Sequence, residues 1–149
     1  MLRRNNPPSG WLSRLFRRFG RDPELTVAKV GEHLAAQHLK RGGCRVLSRN
    51  LRNRFGEIDI LAEAPDQRTL LIVEVKTSTS RDSPRDAVPP EVHVNHRKQR
   101  KLVALACQVA RRYELTDRPI RFDVIGVDLT PDGREAVIRH HPGAFESHV

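Results

Sequence analysis

Apolar positions recur along this chain with one of two periods, and the switches between them divide it into elements. Asp22-Pro23 opens a helix, with Asp at the N-cap and Pro at the first helical position. The helix runs to about Lys40 and stops at Gly42-Gly43. Ala28, Glu32, Ala35, Ala36 and Leu39 share one of its faces, so Glu32 is predicted to look inward from a small, apolar stripe. Three strands follow, CRVLSRNL (44–51), GEIDILAE (56–63) and TLLIVEVKTS (69–78), with turns at Arg52-Asn53-Arg54 and APDQR (64–68). The third is apolar almost throughout, as a central strand is. A polar loop runs from Thr79 to about Val94. Asn95 then caps a second helix, roughly 96–114, with a stripe of Leu102, Leu105, Ala106, Val109, Ala110 and Tyr113. RPIRFDVIGVDL (118–129) and REAVIRH (134–140) form two further strands around a tight turn at TPDG (130–133), and the tail reads as loop.

The order helix, three strands, helix, two strands predicts an α/β fold with a mixed central sheet flanked by helices. Short turns make the first three strands antiparallel neighbours. A helical crossover makes strands three and four parallel, with a right-handed connection. Residues 22–149 suit one domain. Residues 1–21 stand apart as a basic, flexible arm, with six arginines, no acid and a breaker at PPSG. Within the arm, Trp11, Leu12, Leu15, Phe16 and Phe19 fall on one helical stripe. That stripe suits a membrane surface, a nucleic acid or the protein's own domain, and no function is placed on it.

Four charges break the strand pattern: Glu57, Asp59, Glu74 and Lys76. Alternation puts Glu57 and Asp59 on one face of the second strand, and Glu74 and Lys76 on one face of the third. A hairpin brings both pairs near one spot. Buried charge is costly unless it is paired or bound to metal. Three acids against one lysine leave negative charge uncompensated, which points to a divalent cation. Mg²⁺ or Mn²⁺ suits one or two carboxylates, retained waters and a substrate phosphate oxygen. Lys76 can orient or deprotonate the nucleophile, or neutralise charge developing on phosphate oxygens. The alternative is an ion pair of Lys76 with Glu74 or Asp59 that merely holds the sheet.

The net charge of +9 and pI near 10.7 predict attraction to polyanions. Between Glu91 and Glu114 lie Arg97, Lys98, Arg100, Lys101, Arg111 and Arg112 with no acid. Such a run is either a solvated face or, following the acidic cluster, a substrate-facing surface. Cys44 and Cys107 form no CxxC pair and read as reduced, buried thiols. No apolar run reaches membrane-spanning length and no signal peptide is evident, so the expected compartment is the cytoplasm. His93 and His96 lack a third ligand at usual spacing and read as exposed, while the adjacent His140 and His141 could serve as ligands or a general base. A Gly-x-Ser-x-Gly elbow and phosphate-cradling Gly-rich loops are absent.

GEIDI…VEVKT, with GEHLAAQHLKRGG before it and RKQRKL…RFDVIGVD after it, resembles the YraN family of uncharacterised bacterial proteins. That family belongs to the restriction-endonuclease-like superfamily, in the branch resembling archaeal Holliday-junction resolvases. The resemblance covers roughly Val27 to Leu129. It implies a PD-(D/E)xK nuclease core with Asp59 and Glu74 as the acids and Lys76 as the lysine. It also implies Glu32 as the helix glutamate supporting the metal, and Glu57 as the Glu of the GEID signature. Ile58 stands where the superfamily has proline, and Thr77-Ser78 where the family often has Thr followed by a basic residue. Lys98 and Asp123 fall at structural or substrate-side positions.

The expected function is therefore metal-dependent endonucleolytic hydrolysis of DNA, with branched or junction DNA as a candidate substrate. Asp59, Glu74 and the Val75 carbonyl would hold Mg²⁺ or Mn²⁺, with Glu32 or Glu57 supporting the metal through water. Arg97, Lys98, Arg100 and Lys101 would hold the phosphate backbone. A homodimer would suit paired cuts, and no small-molecule cofactor is implied. The rival readings are a nucleic-acid-binding module that does not cut, and a membrane-surface adaptor acting through residues 11–19.

Overall fold

The computed structural model describes residues 23–79, 94–130 and 135–146. The basic arm, Asp22, most of the loop before the second helix (with His93) and most of the TPDG turn lie outside these residues. The elements are α1 (Pro23–Arg41), β1 (Arg45–Asn53), β2 (Gly56–Glu63), β3 (Leu70–Ser78), α2 (His96–Arg112), β4 (Ile120–Leu129) and β5 (Ala136–Phe145). The strands form one mixed sheet in the order β1-β2-β3-β4-β5. β3 and β4 are parallel across the α2 crossover, and the other neighbouring pairs are antiparallel. The helix–three strands–helix–two strands order and the mixed flanked sheet are as expected.

Each helix covers one face of the sheet, so there are two cores. Under α1, Val30, Leu34, Ala35 and Leu39 pack on Ile60, Leu71, Val73, Ile125 and Val127. Under α2, Leu102, Leu105, Ala106 and Val109 pack on Ile58, Leu61, Ile72 and Phe122. The α1 stripe differs from expectation at one end: Ala28 is exposed, and Val30 and Leu34 are buried. On α2 the expected apolar stripe is buried except for Tyr113, which caps the C-terminus and faces solvent.

Both helix boundaries follow the sequence signals. Gly43 takes a φ of +86°, and Cys44 N–H donates to the Leu39 carbonyl at 3.0 Å, closing α1 in a glycine C-cap. Asn95 Oδ1 accepts the Lys98 N–H at 2.9 Å at the start of α2. Gly31 is needed for close approach, because a Cβ there would stand 1.8 Å from Thr77 Oγ1. This contact seats α1 against β3 and sets the position of Glu32, the next residue.

The last strand runs beyond its expected end, on to Phe145. Pro142 is tolerated because β5 is an edge strand, where a missing N–H breaks no ladder. A register shift between Phe122 and Val124 absorbs the irregularity. Stacking of Phe145 on Phe122, with centroids 4.8 Å apart, holds the extension down.

Candidate metal and nucleic-acid site

β2 and β3 pair only from Ile60–Val73 to Glu63–Leu70. Beyond Ile60 and Val73 the strands fork, and Asp59 and Glu74 are the next residues on either side of the gap. At the fork, Asp59 Oδ2 accepts the Val75 N–H at 2.7 Å. A side chain thus takes the place of the ladder carbonyl, satisfying a donor that would otherwise be orphaned. N–H and C=O of one strand residue leave the same edge, so the Val75 carbonyl also faces the gap.

The regular alternation of β2 breaks here. Ile58 packs under α2, whereas Ile60 and Ala62 pack under α1. Asp59 therefore sits at the switch between faces, reached electrostatically by Glu74, by Glu32 of α1 and by Lys98 of α2. Burial and the Glu74 carboxylate push the Asp59 carboxyl up to about 7. The Val75 N–H and Lys98 pull the other way, and Glu32 adds to the rise.

Glu74 is buried and forms an ion pair with Lys98 of α2. Lys76, the lysine expected beside it, is partly buried and forms no ion pair with either acid among the described residues. Glu32 is half-buried, and burial raises its carboxyl; a hydrogen bond to Asn50 and the charge of Arg49 oppose that rise. Glu57 pairs with Arg52 Nε at 2.9 Å.

A cavity of about 510 Å³ opens on the α2 side of the fork. Glu57, Asp59 and Glu74 line one wall, and Asn95, Arg97, Lys98 and Lys101 the other. The N-terminus of α2 faces it, adding the positive end of a helix dipole. Arg100 is exposed but does not line the cavity, and neither Lys76 nor Glu32 is in its wall. Three of the four expected phosphate contacts thus converge with three of the acids.

The residues fit a hard divalent ion. Asp59 and Glu74 repel each other at a partly desolvated fork, and the donors are carboxylate and carbonyl oxygens. Among the described residues, no group of three His, Cys, Asp or Glu side chains is gathered closely enough to hold a metal alone. Such a site suits Mg²⁺, which keeps waters and takes a substrate oxygen, better than zinc, which needs three or four protein ligands.

A second polar cluster lies on the other face of the sheet. Asp123 is fully buried and accepts Arg121 Nε and Nη2, both at 2.8 Å, and the Gly143 N–H at 3.0 Å. His140 Nε2 is also 2.8 Å from Asp123, and its Nδ1 is 3.3 Å from His38 Nε2. Burial pushes the Asp123 carboxyl up, but these hydrogen bonds outweigh it and hold the group down to about 2. His140 is thus partly buried on the face of the sheet opposite the cavity and does not join Asp59 and Glu74. Nothing local in the sequence marks His38, because its partner His140 comes from β5. His96 is exposed, as expected. Both cysteines are free and partly buried.

Fold and site together define a mixed α/β protein with carboxylates at a strand fork facing a basic helix start. The chain belongs to the uncharacterised protein family UPF0102, whose model matches residues 31–127. It is 43% identical over 116 residues to the UPF0102 protein of Pelobacter propionicus, covering 78% of this chain and 79% of that one. It is 40% identical over 121 residues to that of Geobacter metallireducens, covering 81% and 93%. Among solved structures it is similar to Pyrococcus furiosus SfsA in complex with Ca²⁺, at 17% identity and a TM-score of 0.33. The similarity spans 85% of this chain and 62% of that one, and is too distant to bear on ligand or mechanism. Among the described residues, no helix is long and apolar enough to cross a membrane.

Proposed function

We propose that this protein is a divalent-metal-dependent endonuclease of the cytoplasm, hydrolysing phosphodiesters of DNA, branched or junction DNA included. The observation that carries the reading is the meeting of Asp59 and Glu74 at the fork, across one cavity from Arg97, Lys98 and Lys101. Acids alone would repel DNA, and bases alone would only bind it. Together they hold a cation and a phosphate at one place.

Asp59, Glu74 and the Val75 carbonyl are the residues to hold Mg²⁺ or Mn²⁺. Such an ion, when bound, polarises a phosphate oxygen and lowers the pKa of a water. Arg97 and Lys101 bind and orient the flanking phosphates. Lys98 neutralises Glu74 before substrate arrives and lies within reach of incoming phosphate. Lys76, two residues beyond Glu74 with no acid partner among the described residues, remains available to orient or deprotonate the attacking water. Glu32 or Glu57 supports the metal through water. Two coordinated cuts at a junction would favour a homodimer.

The test is a nicking assay with Mg²⁺ or Mn²⁺ on junction, flap and single-stranded DNA. Cleavage lost in Asp59→Asn and Lys76→Ala supports the reading. The second reading, a nucleic-acid-binding module that does not cut, is favoured by the Glu74–Lys98 pair, which already compensates one acid. DNA binding without metal-dependent cleavage, unchanged by Lys76→Ala, would establish it.

A further inference from the structure

The β1–β2 hairpin turns immediately before the acids and carries a feature that phosphodiester chemistry does not use. Asn53 Oδ1 accepts the Phe55 N–H at 2.8 Å, and Gly56 takes a φ of +151°, open to glycine but strained for other residues. The turn leaves Phe55 44% exposed, although large aromatics usually bury themselves. The Arg54 guanidinium sits over that ring, with Cζ 4.7 Å from its centroid. Phe55 is in the wall of the same cavity as Asp59 and Glu74, together with Leu102 and Leu105 of α2. The cavity therefore has an apolar, aromatic end and a basic side. Its volume of about 510 Å³ lies within the roughly 300–1,000 Å³ usual for small-molecule sites.

We propose that this cavity receives an unpaired nucleobase, stacked on Phe55, with its flanking phosphates held by Arg97 and Lys101. The proposal rests on the reading above that the site acts on nucleic acid, and it names the substrate class. Every base has a π face, so an exposed aromatic beside a basic wall grips single-stranded nucleic acid without reading sequence. A base inside continuous duplex is stacked on both sides and must be unstacked and unpaired to reach such a pocket. Single strands, flaps and branch points carry no such cost. The acids stand beside the pocket, so the phosphate attacked adjoins the unpaired base. A purely structural role for Phe55 is disfavoured by its exposure. The Arg54 guanidinium stands over one face of the ring, so the base stacks on the other.

The full chain, in EDTA so that no cleavage occurs, is titrated into a short single-stranded oligonucleotide bearing 2-aminopurine and into a matched blunt duplex. The expected result is tighter binding to the single strand and a rise in 2-aminopurine emission as the base leaves its neighbours. Phe55→Ala, at an exposed turn, should weaken single-strand binding about tenfold, within the range for losing one base–aromatic stack. It should leave duplex binding unchanged and abolish the emission rise. Phe55→Leu, which keeps apolar bulk without a π face, should behave like Phe55→Ala, and Phe55→Trp like the wild type. Equal single-strand affinity and emission in all four proteins overturns the proposal. Failure of the nuclease reading is distinguishable: Phe55-dependent binding with no cleavage on adding Mn²⁺ supports the base pocket and retires the endonuclease. Cleavage that ignores Phe55 and strandedness overturns only the pocket.

Discussion

Glu74 takes its counter-ion from Lys98, 24 residues further along the chain on another element, and not from Lys76 on its own strand. Strand alternation places Lys76 on the same face as Glu74, but the start of α2 delivers Lys98 to that carboxylate first. The two lysines therefore have separable roles, with Lys98 balancing the acid and Lys76 available to a substrate or water.

That separation predicts different metal phenotypes for the two lysines. Lys98→Ala leaves Glu74 without its ammonium, so Mn²⁺ should bind a few-fold more tightly by calorimetry in the absence of DNA. DNA binding should weaken, with the salt slope reduced by about one phosphate contact. Lys76→Ala should leave Mn²⁺ affinity unchanged and lower the cleavage rate roughly 10²- to 10⁴-fold, as loss of a general acid–base group does. Equal Mn²⁺ affinity in all three proteins would contradict this assignment.

Asp59 costs stability near neutral pH when no cation is present, since burial and Glu74 push its carboxyl up to about 7 and folding must either protonate it or bury its charge. Asp59→Asn removes the repulsion and keeps an oxygen to accept the Val75 N–H. In EDTA near neutral pH the variant should melt about 2–4 °C above the wild type, equivalent to about 1 kcal/mol. The wild type should gain stability on adding Mn²⁺ and the variant should not. A variant that melts lower in EDTA would show that Asp59 is stabilising without metal.

Asp123 predicts an acid limb in stability. Its folded pKa is depressed from the ordinary 3.8 to about 2, so its contribution is fully present above about pH 4 and is lost as pH falls toward 2. The loss should be about 2 kcal/mol. Asp66 titrates in the same range, held near 2 by the Thr69 hydroxyl and the Thr69 and Arg68 amides. The difference between wild-type and Asp123→Asn denaturation curves isolates Asp123. That difference should shrink as the pH is lowered, and a constant difference from pH 5 to pH 2 would refute the assignment.

Gly31→Ala should destabilise by about 1–3 kcal/mol, the usual cost of overpacking, because its Cβ meets Thr77 Oγ1 at 1.8 Å and Cγ2 at 2.7 Å. Thr77→Ala removes those two atoms but leaves Thr77 Cβ at 2.8 Å, so the double variant should recover part of the loss. Strict additivity in urea melts would show that helix and strand do not meet there.

The order of elements, the two helix caps, the three antiparallel strands and the parallel pair across the crossover were legible in the sequence, because period, capping chemistry and turn residues are local. Asp59 and Glu74 were legible because charge inside an apolar strand violates the local pattern. Other features were not. The continuation of β5 to Phe145 depends on its being an edge, which no local signal carries. The offset of the α1 stripe depends on where Gly31 seats the helix on β3. Regular alternation placed Glu57 and Asp59 simply on one face, whereas the strand changes face at Asp59.

The sequence by itself therefore determined which acids could meet, since period and turn length bring their strands together. Only the tertiary structure decided how they meet. The ladder opens beside them, a side chain replaces its next hydrogen bond, and the helix that follows β3 supplies the neighbouring cation. These outcomes depend on which elements lie side by side in space, and contacts between distant segments leave no period in the chain.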